Sequence, residues 1–90
     1  MIDQTESLVL PQVSADITDV EVFRTNVVKI SEAARLVDLL TAYFSDCSFN
    51  FDLADCDKIL RAKGRYINYY KSSVMDLVTA AGYKIEILPE

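Results

Sequence analysis

Two cysteines and a group of aspartates are the residues of this chain with the chemistry to hold a metal ion or act on a substrate. Cys47 and Cys56 have eight residues between them, and Cys56 stands in the run Asp52-Leu53-Ala54-Asp55-Cys56-Asp57. A thiol among carboxylates offers ligands to a divalent ion, which makes Cys56, Asp55 and Asp57 candidate metal ligands. Against this, carboxylates beside a thiol disfavour its thiolate, and one cysteine alone is a poor site for a soft metal. The simpler reading of the same residues is a polar turn that contains a cysteine.

What the chain lacks narrows the chemistry further. It has no histidine, so the usual general base and the commonest metal ligand are missing. Serine-hydrolase and cysteine–histidine protease chemistry are excluded on that ground, and no residue set suggests an enzyme or a cofactor site. The two cysteines are too few for a disulfide framework, which points to a reducing compartment and a cytoplasmic location. A net charge of −5 repels nucleic-acid phosphates and anionic lipids, so neither is a favoured partner. The acidic start, Met1-Ile2-Asp3-Gln4-Thr5-Glu6, does not read as a signal peptide, and no apolar run approaches the roughly 20 residues of a membrane span.

Ninety residues make one domain. Residues 1–18, with Leu8-Val9-Leu10 and Pro11, read as a loosely ordered extension, the apolar triplet being an alternative edge strand or flap. The domain proper spans residues 19–90. Val20 to Thr25 predicts a strand, with Val20 and Val22 on one face and Glu21 and Phe23 on the other. Ser31 is a good N-cap, and Ala33, Leu36, Val37, Leu40, Tyr43 and Phe44 recur at helical spacing, which predicts a helix over 31–44.

Phe49, Phe51 and Leu53 then alternate with Asn50 and Asp52 as a second strand. Ala54 to Asp57 predicts a turn, and residues 58–63 return as a third strand with Leu60 and Ala62 inward. Gly64 closes it. Ile67, Tyr70, Val74, Leu77, Val78 and Ala81 form a second helical stripe, ended by Gly82 where a left-handed cap is needed. Tyr83, Ile85 and Ile87 make the last strand, with Pro89 behind it.

This order, strand–helix–strand–strand–helix–strand, predicts an α+β domain of the ferredoxin-like βαββαβ kind. Its four-stranded antiparallel sheet takes the order 4132, with both helices on one face. The other face is then open, showing Glu21, Phe23, Asn50, Asp52, Ile59, Arg61, Lys84, Glu86 and Leu88. Phe23 and Ile59, neighbours on adjacent strands, make a small apolar patch suited to self-association, and a homodimer is one expected state.

Ala80-Ala81-Gly82-Tyr83-Lys84-Ile85-Glu86-Ile87 resembles the helix-to-last-strand segment of heavy-metal-associated domains, the small copper and zinc carriers. The element order from Asp19 to Leu88 fits as well, about four-fifths of the chain. The family's metal loop, glycine-methionine-threonine-cysteine-x-x-cysteine between the first strand and first helix, is replaced here by Thr25-Asn26-Val27-Val28-Lys29-Ile30. No metal ligand carries over. The resemblance is therefore to divergent members without the motif, and it implies a binding module rather than a metal carrier.

In this fold the Cys56 turn lies at the same end as that loop, which leaves metal or small-ligand binding there as an alternative. A second alternative is RNA on the sheet, since the RNA-recognition motif shares the topology. Val22-Phe23-Arg24-Thr25-Asn26-Val27 sets Phe23 where a base would stack, but Lys63-Gly64-Arg65-Tyr66-Ile67-Asn68-Tyr69-Tyr70 lacks the aromatics of the third-strand motif. Arg61, Tyr66 and Tyr69 remain as candidates for a protein contact, Tyr66 and Tyr69 flanking the start of the second helix. The expected partner is a protein or a second copy of the chain.

Overall fold

A computed structural model describes residues 19–88, so the reading of residues 1–18 lies outside the described residues. In chain order the elements are β1 (Asp19–Thr25), α1 (Ile30–Tyr43), β2 (Ser48–Asp52), β3 (Ile59–Gly64), α2 (Ile67–Ala80) and β4 (Ile85–Ile87). The four strands form one antiparallel sheet in the order β2-β3-β1-β4, the ferredoxin-like arrangement.

The core lies between the sheet and the two helices. Leu36 and Leu40 of α1, and Ile67, Val74 and Val78 of α2, are buried at spacings that repeat along one stripe of each helix. Leu40, Ile67, Val74 and Val78 meet Phe23, Phe49, Leu60 and Ala62 from the sheet. Shielding a side chain of this size from water contributes roughly 1.5–3 kcal/mol relative to leaving it exposed. Val27, in the β1–α1 loop, anchors a smaller cluster with Ala33 and Leu36, which fixes where α1 starts.

That anchoring displaces the expected cap. Ser31 does not cap the helix; Lys29 occupies the cap position in extended geometry, its carbonyl accepts the Ala33 N–H at 3.0 Å, and its side chain makes no capping bond. Glu32 stays in the first turn, where the helix dipole favours an anion. The end of α2 follows expectation. Gly82 takes φ 102°, its N–H donates to Thr79 O, and the Tyr83 N–H donates to Val78 O. These two bonds make a Schellman motif, which only glycine enters without strain.

The faces of β1 are reversed from the sequence expectation. Phe23 pairs with Leu60 and is wholly buried against the helices, while Val20, Val22 and Arg24 take the open face. Glu21 shares the helix face because it lies at the margin, where its carboxylate sits 3.9 Å from Lys71 Nζ on α2. Ile59 does lie on the open face, between Arg24 and Asp52 in the register, yet it is only 3% exposed. The proposed Phe23–Ile59 patch does not exist: one residue is in the core and the other is closed off among charged neighbours.

Candidate functional site

The end of the sheet that carries the β1–α1 loop is tied together by hydrogen bonds. The Thr25 hydroxyl donates to Lys58 O at 2.7 Å and accepts the Val27 N–H at 3.2 Å. The Thr25 N–H is shared between Asp57 O and Lys58 O, each at 3.2 Å. Asn26 Oδ1 accepts the Lys84 N–H at 2.8 Å, and the Asn26 N–H donates back to Lys84 O. The β1–α1 loop and the β2–β3 turn thus lie side by side, as the fold requires.

Within that turn, one ligand atom each from Asp55, Cys56 and Asp57 falls within 4.8 Å of the others. Both carboxylates already have partners. Asp55 Oδ1 accepts the Asp57 N–H at 2.8 Å, the self-bonding typical of aspartate turns, and Asp57 Oδ1 accepts Arg24 Nε at 3.1 Å. Lys58 adopts φ 49°, a conformation non-glycine residues rarely take, while its ammonium donates to Leu53 O at 3.0 Å. The turn is closed by its own polar groups, and Cys56 is exposed at its tip.

Cys47 is far from this in structure and character. It is buried beside Gly64 at the opposite end of β2 and β3, and both cysteines are free. Burial, seconded by the Asp46 carboxylate 3.7 Å from its sulfur, pushes the Cys47 thiol above its ordinary pKa. The charge of Asp46 foremost, then burial, holds the Tyr70 hydroxyl above its ordinary value. Tyr70 itself, partly buried against the core, packs on Phe44 with ring centroids 5.4 Å apart.

The open face is a solvated charged surface. Arg24 bridges Asp57 and Glu86, and Arg61 lies 4.0 Å from Asp52. Exposed pairs of this kind contribute about 0–1 kcal/mol each, so they describe the surface more than they stabilise the fold. With Phe23 turned inward there is no aromatic on β1 to stack a base, and the octamer's Ile67 is buried at the start of α2. Among the described residues the open face of the sheet carries no aromatic side chain from β1 or β3. Tyr66 and Tyr69 are exposed, 52% and 84%, at the first turn of α2, where Tyr69 meets Tyr70 edge-on at 5.6 Å.

An apolar recess lies elsewhere. A groove of about 530 Å³ runs between α1 and β2, walled by Ile30, Ala34 and Val37 on the helix and Phe49, Phe51 and Leu53 on the strand side. Ile30, in the position where the metal-carrier loop would lead into the helix, is 80% exposed at its mouth. Among the described residues β2 pairs only with β3, so the groove runs beside a strand edge whose backbone groups have no partner there. Sequence reasoning missed this site. Its signal was Ile30, an apolar residue off the core stripe of α1, together with the lateral position of β2 in the order 4132.

Searches against protein-family models, curated proteins and solved structures return no match. Among the described residues no helix is long and apolar enough to cross a membrane.

Proposed function

We propose that this chain is a non-enzymatic interaction module of the cytoplasm, a heavy-metal-associated-like domain without the metal loop, that binds an extended polypeptide along β2. The observation that carries this is the juxtaposition of a strand edge, unpaired among the described residues, with an apolar groove of about 530 Å³ directly beside it. Strand addition uses both parts. Main-chain N–H and C=O groups of the edge give affinity, and the recess takes alternate side chains of the added strand. Neither a cofactor nor a metal enters this reading: the Arg24 guanidinium on Asp57 sets a positive charge beside the one acidic cluster of the turn.

The test is selection of displayed peptides on the full chain, with Ala34→Arg as the counter-screen. Ala34 is exposed and lines the groove, so arginine there obstructs the recess without touching the core. Peptides of alternating apolar pattern, weakened about tenfold or more by Ala34→Arg, support the proposal. Peptides that bind both forms equally, or none enriched, sink it.

A further inference from the structure

We infer that the strand added to β2 is β2 of a second copy, paired antiparallel about a two-fold axis at Asn50. This rests on the reading of the β2 edge as the binding surface. The sequence of β2, Ser48-Phe49-Asn50-Phe51-Asp52, is near-palindromic about its centre. In that pairing Phe49 of each copy stands opposite Phe51 of the other on the helix face, beside the groove. Aromatic cross-strand pairs are among the favourable ones in sheets. On the open face Asn50 meets Asn50, and each Asp52 meets the other copy's Ser48.

Charge supplies the independent argument. Ser48 is paired within its own chain with Lys63, on the same face. The row across the joined sheets therefore runs Lys63, Ser48, then Asp52 of the second copy. Serine is short, and the lysine and aspartate side chains together bridge the roughly 10 Å of two strand spacings over it. Lys63 takes part in none of the ion pairs found among the described residues, and Asp52, 4.0 Å from Arg61 of its own chain, would share its carboxylate between that arginine and the second copy's lysine. The two-fold axis forms this pair twice.

The other outer strand does not offer the same arrangement. Self-pairing of β4, Ile85-Glu86-Ile87, about its centre sets Glu86 against Glu86, and like charges directly opposite are destabilising. In a chain of net charge −5, that difference selects β2. Edges kept from pairing usually carry lysine, proline or a bulge, and β2 has neither lysine nor proline.

Sedimentation equilibrium of the full chain, followed by charge reversal, tests this. The wild type is expected to dimerise below about 200 μM. Asp52→Lys and Lys63→Asp should each weaken the dimer about tenfold or more, and the double variant Asp52→Lys/Lys63→Asp should restore most of it. Asn50→Lys, at an exposed position, should give a monomer. A monomeric wild type overturns the proposal, as does a dimer that neither single reversal weakens or that the double variant fails to recover. If the chain is monomeric and Leu8→Asp/Leu10→Asp turns it into a dimer, its own N-terminal segment covers the edge instead. If it is monomeric while Ala34→Arg still abolishes peptide binding, the edge remains the binding surface and only the second copy is wrong.

Discussion

Phe23 faces Leu60 across the β1–β3 ladder, and neither side chain reaches solvent. Replacing Phe23 by alanine should cost about 3–5 kcal/mol, the usual loss for a buried aromatic. Small domains have about 5–15 kcal/mol in hand, so the variant should sit close to its unfolding midpoint at low denaturant. Urea unfolding followed by circular dichroism checks this. A loss under 1 kcal/mol would mean that Phe23 lies on the open face after all.

Gly64 is a glycine for a reason unconnected with backbone freedom. A β-carbon there would stand 2.6 Å from the Cys47 sulfur and 3.3 Å from the Cys47 backbone. Gly64→Ala should destabilise by about 1–3 kcal/mol through overpacking. Cys47→Ala removes the sulfur, so the double variant should lose less than the two single losses added together, with a coupling of about 1 kcal/mol. Strict additivity in denaturant midpoints would contradict the contact.

Cys47 and Tyr70 both have pKa values raised by folding, and the sign of the pH effect follows. Each favours its neutral form in the native state, so the associated stability is intact below the ordinary thiol value of 9.0 and is lost as pH rises through the raised one. The domain should weaken in alkali above pH 9.0, and Cys47→Ala should flatten part of that slope. Alkylation at neutral pH offers a parallel check: exposed Cys56 should label quickly, and buried Cys47 only on the timescale of opening.

An ion at the Cys56 turn would share the Asp57 carboxylate with the Arg24 guanidinium, whose positive charge opposes a cation, and would have a single thiol as its soft ligand. Native mass spectrometry with Cu(I), Zn(II) and Ni(II) should therefore give no stoichiometric adduct. An adduct present in the wild type and absent in Cys56→Ser would reinstate the turn as a metal site.

Much of the architecture was legible because its signals were local. The alternation of Phe49, Asn50, Phe51 and Asp52 identifies a strand by itself, and Gly82 announces the end of α2. The facing of β1 was not, because Asp19-Val20-Glu21-Val22-Phe23-Arg24-Thr25 offers apolar residues at both parities, and α2 decides between them. Ser31 was misplaced as a cap because burial of Val27 two residues before Lys29 outweighs a capping hydroxyl. The groove could not be read from α1 alone: Ala34 and Val37 become a wall only once β2 stands beside them at the edge of the sheet.

The strand order has a temporal side. β1 is made first, yet it sits between β3 and β4, and its Phe23 waits for Ile87, sixty-four positions later, to complete its pairing. Contacts that distant in sequence close slowly, and β-strands left open meanwhile are prone to join the wrong partner. During synthesis, β2 and β3 can form their hairpin while β1 still lacks one neighbour. One edge of β1 therefore stays open until β4, the last and shortest strand of the sheet, joins it.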